Sequence, residues 1–173
     1  MKYILTIILV VPCLFFACTK KEETSPPRIE MTFKRNGIPD TFYIYSCLIM
    51  NDQVDPAKSN FSMEAGTEDS KRMLHITIEA SNPFKAGSWE TIKNASGFYP
   101  VTVHYYEERS LPAYKDFIIE NAPGRPIANF RINISYLGEH LVTGTFTGNY
   151  LYEQVLGETI EITDGKFTAR NPF

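Results

Sequence analysis

The chain has 173 residues, with 17 Lys+Arg against 20 Asp+Glu and a formal charge of −3. That is enough for one domain and lacks the basic surplus a nucleic-acid binder needs. Hydrophobic residues make up 43% and aromatic residues 13%, which excludes a disordered acidic chain, and three cysteines in this length exclude a disulfide scaffold.

The first segment, Met1 to Cys18, reads MKYILTIILVVPCLFFAC: Lys2 gives a positive start, Ile4 to Phe16 form an apolar run, and Ala17 is a small residue directly before Cys18. These are the three parts of a secretory signal. The run is interrupted by Pro12 and falls short of the roughly 18–20 apolar residues that a membrane-crossing helix requires. Leu14-Phe15-Phe16-Ala17-Cys18 resembles a bacterial lipobox, cut before the cysteine. The resemblance implies removal of residues 1–17, a diacylglycerol on the Cys18 thiol and a third acyl chain on its freed amine. At ~0.8 kcal/mol per buried CH₂, one chain holds a protein only marginally and three hold it essentially permanently.

Residues 18–28 are expected to be the lipidated cysteine and a tether. Thr19 to Pro27, TKKEETSPP, is polar and proline-ended with no apolar period, so it has nothing to bury. Thr19 stands where an Asp would resemble the inner-membrane retention signal of Gram-negative lipoproteins, which points to the outer membrane. Lys21-Glu22-Glu23 looks like the surface-export signal of Bacteroidota lipoproteins. With Cys13 discarded and Cys18 acylated, only Cys47 remains in the domain, so no internal disulfide can form. Cys47 lies in an apolar run and reads as a buried, inert thiol.

Residues 29–173 carry a period of two, and the expected fold is all-β: a single antiparallel β-sandwich or small barrel. The stretch Phe42 to Met50 is apolar on both faces and reads as a strand covered on both sides. Further on, Leu74, Ile76 and Ile78 alternate with His75, Thr77 and Glu79; Val101, Val103 and Tyr105 alternate with Thr102, His104 and Tyr106; Ile132 and Ile134 alternate with Arg131 and Asn133. Near the C-terminus, Gly144, Phe146, Gly148 and Tyr150 alternate with Thr143, Thr145, Thr147 and Asn149, and Ile160 and Ile162 alternate with Glu161 and Thr163. Asn36-Gly37 and Asp164-Gly165 are hairpin or bulge signals because both demand a positive φ, and Gly138-Glu139 separates two strand-like runs as a hairpin would.

Gly144-Thr145-Phe146-Thr147-Gly148 followed by Ile162-Thr163-Asp164-Gly165-Lys166-Phe167 resembles the C-terminal signature of small, uncharacterised Bacteroidota lipoproteins. Thr32-Phe33-Lys34-Arg35-Asn36-Gly37, Leu74 to Ile78 and Gly87-Ser88-Trp89 are similar in order. The resemblance implies fold and location and brings no catalytic residues.

Tests for chemistry give an expectation of no cofactor, no metal and no catalytic site. His75 and His104 both fall on the polar sides of their strands and are read as two unrelated surface residues, with His140 solvated in a turn. Asp52 and Asp55 lack the spacing of a Ca²⁺ loop and read as turn formers. Adjacent Glu107 and Glu108 face opposite sides of a strand, which is unsuitable for a shared acid/base pair. Gly87-Ser88-Trp89 matches the G-x-W of lipocalins in letters but falls several strands too late, so Trp89 reads as core or rim.

Of Tyr99, Tyr105, Tyr106, Tyr114, Tyr150 and Tyr152, the two singled out as ligand-binding candidates are Tyr106 and Tyr152. An exposed ring on a rigid sheet can stack on a sugar or a peptide. The expectation is therefore a non-enzymatic outer-membrane lipoprotein, anchored through Cys18 and binding a glycan or an envelope protein. The alternative is a glycan-processing or other hydrolytic accessory enzyme.

Overall fold

The computed structural model describes residues 29–91, 100–107, 115–118, 129–153 and 157–171, without the side chains of Tyr150, Tyr152 and Glu153. The signal, Cys18, the tether, Tyr99, Glu108 and Tyr114 lie outside the described residues.

Ten antiparallel strands form among the described residues: β1 (Glu30–Arg35), β2 (Ile38–Asn51), β3 (Lys58–Gly66), β4 (Met73–Ser81), β5 (Gly87–Glu90), β6 (Val101–Glu107), β7 (Lys115–Ile118), β8 (Asn129–Leu137), β9 (Leu141–Glu153) and β10 (Thr159–Arg170). They belong to one sheet in the order β10-β1-β2-β3-β4-β6-β7-β9-β8-β5, with a further pairing of β10 to β9. The expected all-β antiparallel domain is what forms. Its two layers are the two sides of one sheet curled into a half-barrel. Strand β9 makes this curl by pairing along one edge with β10 and along the other first with β8, from Leu137↔Val142 to Asn129↔Asn149, and then with β7 at Ile118↔Tyr152 and Phe117↔Glu153.

The predicted turns occur where the backbone needs them. Asn36 (φ 49°) and Gly37 (φ 80°) close the β1–β2 hairpin between Arg35 and Ile38. Asp164 (φ 54°) sits at a break in the β9–β10 register, so β10 points Ile160 and Ile162 inward before the bulge and Gly165, Phe167 and Ala169 inward after it. Residues 138–140 form the β8–β9 turn, and the Gly138 amide donates to the Leu141 carbonyl at 2.9 Å.

Alternation in every long strand sends one set of side chains inside. Met31 and Phe33 from β1, Phe42 and Cys47 from β2, Phe61 and Met63 from β3, Leu74, Ile76 and Ile78 from β4, and Val101, Val103 and Tyr105 from β6 meet Phe117, Phe130, Ile132, Phe146, Ile162 and Phe167 in one core. Rings link the strands. Phe33 meets Phe42 edge-on at 4.9 Å and Phe146 at 6.0 Å, and Phe42 stacks on Tyr105 at 6.2 Å. Each such pair adds about 0.5–1.5 kcal/mol beyond its buried area. Phe61, Phe84 and Trp89 make a second stack, at 5.5 and 5.0 Å, that ties the end of β4 and the start of β5 back onto β3.

The glycines of the C-terminal signature are seats for these rings. A Cβ on Gly148 would stand 2.4 Å from the Phe130 ring, one on Gly165 2.5 Å from Phe146, and one on Gly144 2.6 Å from Phe167 and 2.3 Å from the Asn133 carbonyl oxygen.

Where the β1–β2 hairpin and the β3–β4 loop come together, the inward residues turn polar. Arg35 pairs with Glu107 at 2.9 Å, the Tyr105 hydroxyl donates to Glu107 at 3.4 Å, and Arg72 pairs with Asp40 while lying 5.7 Å over the Phe42 ring. These four charges cover the apolar interior at that end without leaving a lone ion beneath it.

Gly144→Ala is expected to lower stability to urea by about 1–3 kcal/mol, because backbone and ring must both give way. Gly37→Ala, which meets nothing within 4 Å and strains only its φ of +80°, should cost only ~1 kcal/mol. Equal losses would show that ring seating is not the constraint.

Candidate functional site

With the interior filled, chemistry is left to the outer wall. On β2 to β7 the outward set is Tyr43, Tyr45, Leu48 and Met50 from β2, Asn60, Ser62 and Glu64 from β3, His75, Thr77 and Glu79 from β4, Thr102, His104 and Tyr106 from β6, and Asp116 from β7. Here the structure corrects the sequence reading of Phe42 to Met50. Strand β2 is not covered on both sides: Tyr43 is 54%, Tyr45 49% and Met50 50% exposed.

Alternation puts Tyr43 and Tyr45 on the outer side, and a bulge at Tyr45 shifts the phase so that both Phe42 and Cys47 point inward. The β2–β3 register steps between Ile44↔Ala65 and Ser46↔Glu64, leaving Tyr45 as the extra residue. Its ring lies over Gly66, 3.1 Å from where a Cβ would be, and its hydroxyl donates to the Thr67 carbonyl. Gly66 pairs with Met73, and Met73 with Tyr106. Met73 is buried outside the main core, with its Cγ 3.0 Å from the same missing Cβ. Tyr45, Met73 and Tyr106 thus cross the outside of β2, β3, β4 and β6 as a small apolar band.

The histidines are not unrelated. His75 and His104 are direct cross-strand partners with ring centroids 6.5 Å apart, and His104 stacks on Tyr106 at 5.8 Å. The Ser62 and Thr77 hydroxyls approach His75 Nε2 at 3.0 and 3.3 Å, and His104 Nδ1 lies 3.3 Å from the Asp116 carboxylate. Half-burial pushes the His75 pKa below the ordinary 6.5; His104 adds to that shift and the Glu64 carboxylate opposes it. Among the described residues no three His, Cys, Asp or Glu side chains stand close enough to share an ion. Ser62 and His75 are spaced as a nucleophile and base would be. Both lie inside strands paired on each side, so the amides beside these two described residues are committed to the ladder. The arrangement suits holding a ligand: flat rings beside hydroxyl, imidazole and carboxylate groups that can donate and accept.

Of the two tyrosines proposed from sequence, Tyr106 joins this wall. Tyr152 has its backbone between Ile118 and Thr159, with its side chain outside the described residues. Tyr105 is fully buried, as its apolar-face position implied. Tyr43 and Tyr45 were missed because the run Phe42 to Met50 was read as covered on both sides, although their spacing of two puts them on one side. Cys47 is buried and its thiol pKa is pushed up to about 12 by loss of water. Asp52 is a turn former as expected: its Oδ1 accepts from the Val54 and Asp55 amides at 2.7 and 3.0 Å, which hold its pKa down. Trp89 is partly buried at the rim of the core and His140 is exposed.

A separate groove of about 690 Å³ runs over β8, β9 and β10, lined by Arg131, Asn133, Thr145, Thr147, Thr163 and Lys166. Arg131 is paired with Glu90, and the Ser88 hydroxyl donates to Asn133 at 2.9 Å, so two of its polar groups are already engaged.

No family model, curated protein or solved structure matches the chain.

The depressed His75 pKa has a measurable consequence. Between its folded value and 6.5 the unfolded chain binds the proton more tightly, so this stability is fully present above 6.5 and is lost as pH falls below it. His75→Gln should therefore flatten the fall in urea midpoint between about pH 7 and pH 5. An unchanged slope would count against His75 as its source.

Proposed function

We propose that the chain is an acylated lipoprotein of the outer membrane, anchored through Cys18, whose β domain is a binding module of the cell envelope for a glycan or an envelope protein. The observation that carries this reading is Ala17-Cys18 at the end of the short apolar run, followed at once by a polar, proline-ended stretch. Two features of the domain support it. The one cysteine in the body, Cys47, is buried, and the fold stands without a disulfide on its ring-filled core. Strand β1 begins at Glu30, which pairs with Tyr43 and so stands level with Gly66, and β2 runs on past this entry point to Asn51. On this reading Tyr43, Tyr45 and Tyr106 lie on the outer wall level with the point where the tether enters, further from the β2–β3 turn than Leu48 and Met50.

Two experiments test it. Cys18→Ala should leave an uncut precursor or release the protein from the membrane fraction; a mutant that still fractionates with membrane at the mature mass would overturn the anchor. In native gels cast with envelope polysaccharide, Tyr45→Ala with Tyr106→Ala should weaken retardation about tenfold, equivalent to ~1.4 kcal/mol. Tyr136→Ala, on a different face, should leave it unchanged. Equal retardation of all three proteins would remove the wall from the binding reading.

A further inference from the structure

Exposed large apolar side chains fall in two stretches of β2, with Ile38, Tyr43 and Tyr45 nearer its start and Leu48 and Met50 nearer its end, and Val54 lies beyond. Val54, at the tip of the β2–β3 turn, is 93% exposed, and Met50 and Leu48 lead up to it on the outside of β2 at 50% and 40%. Beside the β8–β9 turn, Tyr136 is 55% exposed. The Val54 turn is firmly built. Asp52 accepts from the amides of Val54 and Asp55, the Asp55 carboxylate accepts from the Ala57 amide at 3.0 Å, and the Lys58 amide donates to the Asp55 carbonyl at 2.9 Å. Both carboxylates are turned to backbone donors while Val54 projects away from them.

The hairpin also overhangs the point where the chain enters the domain. Glu30, the first residue of β1, pairs with Tyr43, whereas β2 continues to Asn51. Eight further residues at ~3.3 Å each carry the hairpin roughly 26 Å along the strand, or about 20 Å along the axis at the ~40° tilt usual for curled sheets. Thr19 to Arg28 is all that separates Cys18 from Ile29. A chain of that length spans ~16–19 Å as a coil and at most ~35 Å when fully drawn out. The overhang equals or exceeds the coil span, so a domain held at Cys18 brings this hairpin to the bilayer surface.

We infer that the β2–β3 hairpin is a second, shallow membrane contact, in which Val54, with Met50 and Leu48 behind it, enters the headgroup boundary of the bilayer. This rests on the anchor at Cys18 proposed above. The occupant is lipid, because the hairpin extends past the point where the tether enters by about the span of the tether that leads to Cys18. An apolar tip of this size adds to an existing anchor and is too small to replace it. Its consequence is orientation: a domain held at two points presents its tyrosine wall in a fixed direction.

The test uses the full-length lipidated protein in vesicles of phosphatidylethanolamine and phosphatidylglycerol. Val54→Cys, and separately Glu68→Cys in the loop at the far end, are labelled with an environment-sensitive nitrobenzoxadiazole; Cys47 is buried and stays unlabelled. The Val54 probe should shift to the blue and lose at least half its emission to nitroxide-bearing lipids, while the Glu68 probe does neither. Two probes equally exposed to water on protein that floats with the vesicles would overturn the contact and leave the anchor standing. A blue shift without lipid quenching would mean that a second copy of the chain covers the tip, which also overturns it. Protein that does not float would bring down the anchor, and this inference with it.

Discussion

The structure depends on filling the inside of one curled sheet. A sheet that bends back on itself needs inward side chains from every strand, of sizes that fit against those arriving from the opposite side. Phenylalanine supplies most of the volume here: Phe33, Phe42, Phe130, Phe146 and Phe167 lie in one connected set of rings with Tyr105 and Phe117. Rings of that size crowd the far wall, and Gly144, Gly148 and Gly165 are where the wall yields. The Gly-Thr-Phe-Thr-Gly segment is thus a packing device: glycines inside beside rings, threonines outside in water.

That constraint decides where function can be. Among the described residues the interior is occupied by rings and is covered at one end by the Arg35–Glu107 and Arg72–Asp40 pairs. The outside carries the variety: two exposed tyrosines of β2, a cross-strand histidine pair beside an aspartate, and an apolar hairpin tip. These lie at different heights on the same wall, the tyrosines beside the Thr67–Arg72 loop and level with the start of β1, and Val54 beyond the C-terminal end of β2. The proposed ligand contact and the proposed membrane contact are compatible because the first uses the middle of β2 and the second its C-terminal end.

Much of the strand content was legible, since the alternation in β4, β6 and β8 is local and its apolar half is buried as the pattern says. The Asn36-Gly37 turn and the Asp164-Gly165 bulge were legible for a similar reason: a positive φ restricts residue type wherever it occurs. Strand β2 was not. An apolar run with no polar side fits both a strand buried on two faces and one with an exposed apolar face, and the bulge at Tyr45 resets the phase so that counting by twos misleads. The histidines illustrate a different gap. Each was correctly put on a polar face, but their meeting required knowing that β4 pairs with β6, past β5, in a register that sets His75 opposite His104.

The sequence alone determined the all-β class, the main turns, the inward identity of most strand residues and the one cysteine left to the body, because each follows from local sterics, alternation or counting. It also carries the anchor reading, since a signal, a small residue and a cysteine are read in linear order. Only the tertiary structure decided that the strands form one curled sheet, that three glycines seat three rings, that β2 faces water on its outer side, and which side chains share the wall. Those outcomes depend on pairing between segments far apart in the chain. Such pairing is selected by the fit of the whole core, and no single segment contains it.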